Sequence, residues 1–145
     1  MPFCFPLATV LRVRVAREQH EERALQQILQ ELSRAHASLS SLDVELLRVV
    51  QQRVEGAPLK AGREMHLSTR DVDDLRRWRR EMEAQLEQLE EMKEQQLARY
   101  QSARQEREVL SELHSRQRSL YDVEAARREQ RSIDDYFMAR RLRRV

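Results

Sequence analysis

Both glycines of this chain, Gly56 and Gly62, fall in one short stretch near its middle, with Pro58 between them. In a helix interior, glycine costs roughly 1 kcal/mol and proline roughly 3 kcal/mol relative to alanine. The long stretches on either side contain no such breaker after Pro6, and apolar residues return in them every three or four positions. The sequence therefore predicts two uninterrupted helices joined by one bend.

The composition argues against a compact globular core. Aromatic residues make up 5% and charged residues 36% of the 145 residues. Enrichment in Ala, Glu, Leu, Arg and Gln with a helical period is typical of coiled coils. We therefore predict an all-α fold: one domain over residues 1–145, built as an antiparallel coiled-coil hairpin of two long helices, the second longer. The expected bounds are about 7–54 for helix 1, 55–69 for the bend and about 70–142 for helix 2.

Helix 1 has a regular apolar seam in its second half. The seam residues alternate steps of three and four, the heptad spacing of a left-handed coiled coil: Leu25, Ile28, Leu32, Ala35, Leu39, Leu42, Leu46 and Val49. The stretch from Arg14 to Arg23 is nearly all polar, which predicts looser packing there or a shifted stripe. Ser68 followed by Asp71 resembles a capping box and places the start of helix 2 near residue 69.

Helix 2 has a longer and less regular stripe. It is formed by Val72, Leu75, Trp78, Met82, Leu86, Leu89, Met92, Leu97, Tyr100, Ala103, Leu110, Leu113, Leu120 and Val123. Its period drifts in the middle, where Lys93, Gln96 and Arg107 occupy expected seam sites.

No constellation for catalysis or metal binding is recognisable. Cys4 is the only cysteine, the four histidines lack the i, i+4 spacing of a helical metal pair, and two glycines in a bend cannot form a phosphate loop. Adjacent acidic pairs such as Glu90–Glu91 point about 100° apart on a helix and do not converge. We expect no enzymatic activity, no cofactor and no small-molecule substrate. No stretch reaches the roughly 18–20 apolar residues that span a bilayer, so a cytoplasmic location is expected.

Helix length marks the end of helix 2 as a binding surface. At 1.5 Å per residue, helix 1 would be about 70 Å long and helix 2 about 110 Å. Pairing from the bend would end near residue 118, leaving an overhang that contains Tyr121, Ile133, Tyr136, Phe137 and Met138. Each large apolar side chain left in water forgoes roughly 1.5–3 kcal/mol of burial. The overhang is therefore predicted to bind a partner protein. The alternatives are that it folds back as a third helix or forms the seam of a dimer.

A second candidate surface lies near the bend. Trp78 is the only tryptophan, and the hairpin would bring it opposite the region of Leu42 to Val49. Core packing is the plainer interpretation, but tryptophan is enriched at binding hot spots. The candidate patch consists of Leu42, Leu46, Val49, Trp78 and Met82.

Four segments resemble the flagellar export protein family FliJ. These are Phe5-Pro-Leu-Ala-Thr-Val-Leu-Arg-Val-Arg14, the opening of helix 2 from Leu67 to Trp78, Arg107-Glu-Val-Leu-Ser-Glu-Leu113, and Ala126-Arg-Arg-Glu-Gln-Arg-Ser-Ile-Asp-Asp135. The family typically has Phe-x-Leu-x-x-x-Leu at its start and Glu-Gln-Lys-x-x-Asp-Glu near its end. Arg131 and Asp135 replace the usual lysine and glutamate with the charge preserved. The resemblance covers nearly the whole chain.

The resemblance implies a soluble component of the flagellar type III export apparatus at the cytoplasmic face of the inner membrane. FliJ proteins resemble the γ stalk of rotary ATPases: their terminal ends enter the hexameric export ATPase and promote its assembly and activity. The family also contacts the export-gate membrane protein and substrate chaperones. The resemblance thus assigns ring binding to Leu7, Leu11, Arg14, Tyr121, Glu129, Gln130, Arg131, Ile133, Asp134, Asp135 and Phe137, and we assign gate binding to the Trp78 patch.

Two other functions remain open at the level of the sequence. One is the equivalent stalk of a virulence injectisome, which has the same shape. The other is an arginine-rich coiled coil that binds nucleic acid, with affinity falling steeply as salt rises. Interleaved acids such as Glu124, Glu129 and Asp134 argue against nucleic acid as a partner.

Overall fold

The computed structural model describes residues 2–56 and 62–143, with side chains over 2–55 and 70–143. It contains two helices, α1 (Ala8–Gly56, 49 residues) and α2 (Gly62–Leu142, 81 residues). No strand occurs within these described ranges. The contacts between α1 and α2 run antiparallel, so the predicted all-α hairpin with a longer second helix is confirmed.

The helix starts reflect local backbone chemistry. The backbone N–H of Ala8 donates to the carbonyl of Phe5 at 3.1 Å, so the first turn of α1 is closed directly after Pro6. Helix α2 begins at Gly62 rather than near residue 70. Glycine is accepted at a helix N-terminus, where its cost in a helix interior does not apply, and the Ser68–Asp71 pattern therefore does not mark the first turn. Residues 57–61 of the expected bend lie outside the described residues.

The chain packs as two units, which are described separately. The central unit comprises His20–Tyr100 and the terminal unit comprises Met1–Gln19 with Gln101–Val145. In the central unit, Leu32 and Ala35 of α1 form a buried cluster with Leu86 of α2. Around this cluster pack Ile28, Leu39, Met82 and Leu89.

The α1 seam of the central unit follows the predicted spacing, and every predicted seam residue from Leu25 to Val49 is buried or half-buried. The α2 seam of the central unit differs from the predicted stripe. Arg79 is half-buried at the seam, while Trp78, Met92 and Leu97 point to solvent with 56%, 49% and 37% exposure. The reason is that the three–four stepping continues without drift through residues 72, 75, 79, 82, 86, 89, 93, 96 and 100, whether those positions are apolar or polar.

In the terminal unit the seam also keeps its heptad spacing, with polar residues at several positions. Arg14 and Glu18 are half-buried on α1, and Arg107 is half-buried on α2. The polar stretch of α1 therefore keeps its stripe in place, but the seam residues there are only half-buried, and ion pairs across the helices take the place of apolar contacts. Three predicted stripe residues are exposed instead: Leu113, Leu120 and Val123.

Pairing in the terminal unit extends further along α2 than helix length alone predicts. The ring centroids of Phe3 and Tyr121 lie 5.5 Å apart, and Tyr121 is half-buried. Residues 2–5 precede α1 and are not helical, and extended chain covers more length per residue than the 1.5 Å of a helix. The N-terminal segment therefore reaches beyond residue 118. Within the described part of the chain, every residue from 126 to 143 is exposed.

Candidate partner-binding surfaces

An aromatic cluster anchors the N-terminal segment to α2 in the terminal unit. Phe5 is 6% exposed, and its ring meets the His114 ring edge to face at 4.9 Å. Phe3 contacts the rings of both His114 and Tyr121, each at 5.5 Å. This cluster was not predicted from the sequence, although Phe3, Phe5 and a histidine on the seam spacing are signals for it. Tyr121, a predicted ring contact, is therefore partly covered by the chain's own N-terminal segment.

Ion pairs between α1 and α2 hold the terminal unit together next to this cluster. Arg107 donates from Nε and Nη2 to the two carboxylate oxygens of Glu18, at 2.6 and 3.1 Å. Arg14 and Arg17 both contact Oε2 of Glu106, Arg17 at 3.4 Å. The hydrogen bond from Arg107, opposed by burial and reinforced by the charges of Arg107 and Arg104, lowers the pKa of Glu18 below its usual range. Arg14, a predicted ring contact, is thus engaged within the chain.

The remaining predicted N-terminal contacts lie at the surface or in the seam. Leu7 is 36% exposed, and Leu11 is half-buried on the seam spacing. Leu7 therefore offers surface to a partner, whereas Leu11 contributes mainly to packing between the helices.

The last part of α2, residues 126–143, is here called the tip, and it carries most of the predicted ring contacts. All of these contacts are exposed: Glu129, Gln130, Arg131, Ile133, Asp134, Asp135 and Phe137. Ile133, Tyr136 and Phe137 are separated by three and four residues, so they share one helix face, with 43%, 65% and 63% exposure. The amide of Gln130 donates to Asp134 at 3.0 Å along the helix.

The apolar face of the tip is not a continuation of the seam. Extending the seam spacing beyond Tyr121 leads to Glu124, Arg128, Arg131 and Asp135, which are all charged. At about 100° per residue, the face of Ile133, Tyr136 and Phe137 lies roughly 170° around the helix from the extended seam positions Arg131 and Asp135. The tip therefore presents apolar side chains that the heptad pairing with α1 does not use.

The predicted gate patch is mostly internal to the central unit. Leu42 is buried, and Leu46, Val49 and Met82 are half-buried along the seam. Only Trp78 presents most of its side chain to solvent, at 56% exposure. The structure therefore does not bring the five residues together as one surface patch, and Trp78 is the member available to a partner.

A basic groove that was not predicted from the sequence lies near Trp78. It runs between the helices of the central unit and is lined by Asp43, Leu46, Leu47, Asp73, Arg76, Arg77, Arg79 and Arg80. Arg79 donates from Nε to Asp43 at 2.6 Å, which ties the two helices together across the groove. The signal was available in the run Arg76-Arg77-Trp78-Arg79-Arg80, where four arginines flank the tryptophan.

The described residues form neither a metal site nor a membrane-spanning segment. No cluster of three or more His, Cys, Asp or Glu side chains is arranged to hold a metal ion there. Neither helix, over its described length, has a segment apolar enough to cross a bilayer.

A known protein family matches nearly the whole of this chain. The model of the family described as "FliJ: Flagellar FliJ protein" matches residues 3–145, which is nearly the whole chain. No curated protein and no solved structure gave a significant match.

Proposed function

The chain belongs to the flagellar FliJ family and is a component of the flagellar export apparatus, and from that premise we propose that it is a non-catalytic stalk and adaptor. In this proposal the tip inserts into the ring of the hexameric export ATPase and promotes its assembly and activity. The protein also links the ring to the export gate and to substrate chaperones. It acts in the cytoplasm, held peripherally at the inner membrane through the apparatus.

The observation that carries this proposal is the exposed tip. Residues 126–143 are helical up to Leu142 and exposed throughout, and Ile133, Tyr136 and Phe137 share one face. Burying large apolar side chains contributes roughly 1.5–3 kcal/mol each, which favours insertion into an apolar partner cavity. Charged neighbours such as Glu129, Arg131 and Asp135 would then make polar contacts at the rim of the ring.

The N-terminal residues contribute differently to ring binding. Leu7 lies at the surface and would contact the ring directly. Arg14 is paired with Glu106 and Leu11 packs in the seam, so both would act by holding the terminal unit in its paired form. Tyr121 would have the same supporting role through its contact with Phe3.

Mixing the purified protein with its cognate export ATPase tests the ring proposal. We expect the full chain to promote hexamer formation and ATP hydrolysis, and a form lacking residues 119–145 to fail in both. The sharper variant is Ile133→Ser/Tyr136→Ser/Phe137→Ser, which keeps the helix and removes only exposed apolar side chains. Activation that is unchanged by this variant would contradict insertion through the tip.

A matched control is available in the same unit. Val13, Val109 and Val123 are 61%, 66% and 47% exposed and lie outside the tip. The triple variant Val13→Ser/Val109→Ser/Val123→Ser removes a comparable number of exposed apolar side chains, and we expect it to activate the ATPase like the unmodified chain.

Gate binding is proposed to depend on Trp78. A pull-down with the soluble part of the export-gate protein should lose its signal with Trp78→Ala, because large exposed aromatics dominate interface energies. Met92→Ala, which changes another exposed apolar residue of α2 in the central unit, is the control expected to keep binding. Retained binding by Trp78→Ala would rule out this assignment.

A further inference from the structure

One stripe of α2 in the central unit, exposed except for the half-buried Glu90, changes the sign of its charge along its length. The residues follow steps of three and four beside the buried seam: Arg76, Arg80, Glu83, Glu87, Glu90 and Glu94. Such spacing keeps them on one side of the helix. The first two are cationic and the last four are anionic, so the stripe has a basic end and an acidic end.

The basic end is the groove described above. Four arginines and two aspartates line it, giving a net charge of +2, and Leu47 adds an apolar surface that is 64% exposed. Arg79 is neutralised by Asp43 at 2.6 Å and Glu83 at 3.5 Å. Arg76, Arg77 and Arg80 are exposed and enter none of the ion pairs found among the described side chains. Their guanidinium groups are therefore available for carboxylates from outside the chain.

The acidic end lies further along the same stripe. Glu87, Glu91 and Glu94 are exposed and likewise enter no ion pair within 4.0 Å among the described residues. Glu90 contacts the amine of Lys93 at 2.8 Å, and this hydrogen bond raises the pKa of Lys93. The segment from Glu87 to Glu94 thus has four carboxylates against one amine.

We propose that the central unit binds a second copy of this chain, with its two α2 helices antiparallel and a two-fold axis near residues 83–85. In that arrangement the basic groove of each copy faces the segment Glu87–Glu94 of the other. Both contacts form at once, because a two-fold interface uses the same surface on both partners. The interface closes on itself, which yields a dimer rather than a filament.

Charge complementarity selects the second copy as the occupant. Arginine forks bind carboxylates in bidentate geometry, and the required carboxylates lie on the same stripe of the same helix. Exposed ion pairs contribute little individually and are screened by salt, so the association is weak and salt-dependent. The proposal stands on the central unit alone and does not depend on ATPase or gate binding.

The test is the molar mass of the full-length chain by analytical ultracentrifugation over a concentration series. The monomer mass is 17.4 kDa. We expect association toward twice that mass in about 0.1 M NaCl, where the Debye length is about 10 Å, and dissociation in about 1 M NaCl, where it is about 3 Å. A mass that stays monomeric at every concentration in low salt would overturn the proposal.

Two charge-reversal variants make the test specific. Arg76→Glu/Arg77→Glu/Arg80→Glu makes the groove acidic, and Glu87→Arg/Glu91→Arg/Glu94→Arg makes the opposite end basic. Each variant alone should remain monomeric, since each brings like charges together. An equimolar mixture should recover the dimer mass, because each end then faces an opposite charge. Dimers formed by either variant alone, or a mixture that stays monomeric, would refute the pairing.

A control separates specific pairing from a change in net charge. Arg34, Arg118 and Arg127 are exposed and lie outside the stripe. The variant Arg34→Glu/Arg118→Glu/Arg127→Glu changes the net charge by the same amount as the groove variant, and its dimerisation should match that of the unmodified chain. Loss of dimer in this control would assign the association to bulk charge and overturn the proposal. Helical circular dichroism verifies the fold of every variant.

Discussion

Glu18 is a carboxylate on the seam between two helices, and its side chain is only 15% exposed. It is tolerated there because Arg107 donates to both of its oxygens. We expect Glu18→Gln to lower the free energy of unfolding by about 1.5–3 kcal/mol, the usual contribution of a hydrogen bond to a charged group. Urea unfolding at neutral pH measures this. The control is Glu112→Gln: Glu112 pairs with Arg116 on an exposed helix face, and its loss should cost about 0.5 kcal/mol or less.

The same pair gives a pH dependence with a definite sign. The pKa of Glu18 is lowered from its ordinary value of 4.5, chiefly by the hydrogen bond from Arg107. A carboxyl group whose pKa is lower in the folded than in the unfolded protein stabilises the fold at pH values above its pKa in the unfolded chain. This stabilisation is lost as the pH falls through the pKa of the group in the folded protein. The stability difference between the unmodified chain and Glu18→Gln should therefore be full at neutral pH and shrink below pH 4.5. A difference that persists unchanged in acid would contradict this account.

Gln96 is a buried polar residue whose replacement tests how the seam tolerates polarity. It is 7% exposed and donates to the carboxylate of Glu21 at 2.5 Å and to the backbone carbonyl of Glu21 at 3.1 Å. Replacing both partners by apolar residues of similar volume is often neutral or stabilising, by about 1–4 kcal/mol. We expect Glu21→Leu/Gln96→Leu to have a higher urea midpoint than the unmodified chain. We expect Gln96→Leu alone to have a lower urea midpoint than the double variant. A double variant less stable than the unmodified chain would show that the polar pair stabilises the seam.

Trp78 and Arg79 show where sequence reasoning about the seam reached its limit. Hydrophobicity assigns Trp78 to the seam, but the heptad phase assigns Arg79, and the phase determines which side chain is covered. Arg79 is acceptable because its aliphatic stem packs while its guanidinium reaches Asp43 at 2.6 Å. The seam of α1 from Leu25 to Val49 was predictable because its apolar residues occupy the same positions as the heptad spacing.

The N-terminal segment is the element whose role was least visible in the sequence. Its aromatic rings bind α2 rather than standing free, since Phe5 is 6% exposed against His114. We expect Phe5→Ala to destabilise the terminal unit by about 3 kcal/mol, the low end for a buried phenylalanine. Leu7→Ala, at a position already 36% exposed, should cost about 1 kcal/mol or less.

The measurement for Phe5→Ala combines thermal unfolding with the NMR signals of the His114 ring. Ring-current shifts from Phe3 and Phe5 move those signals, and Phe5→Ala should return them toward the values of an unfolded peptide. A large loss of stability without any change at His114 would show that the contact does not hold the segment.

The exposure of the tip was predicted from the sequence, whereas the identity of its partner is not determined by the fold. Its exposure followed from unequal helix lengths, although the boundary moved because the extended N-terminal segment reaches Tyr121. The change of apolar face between Tyr121 and Ile133 was detectable from spacing once the seam phase was known. What binds there depends on the shape of another molecule, which the residues of this chain do not encode.

At the scale of the whole molecule, the two proposed surfaces belong to different packing units. Trp78 lies in the central unit, and Ile133 and Phe137 lie in the terminal unit. Each of these side chains is largely exposed, so truncating it removes surface without opening a core. Surface substitutions of this kind usually change stability by about 0.5 kcal/mol or less, and distant independent sites are additive.

This separation predicts that the two activities can be lost one at a time. Phe137→Ala should reduce ATPase activation and leave gate binding intact, while Trp78→Ala should do the reverse. The double variant should show the two losses added, with helicity and urea midpoint close to those of the unmodified chain. Activation assays and gate pull-downs on the four proteins measure this. If Trp78→Ala also abolished ATPase activation while the protein remained folded, the surfaces would be coupled, and the division of roles between the units would have to be abandoned.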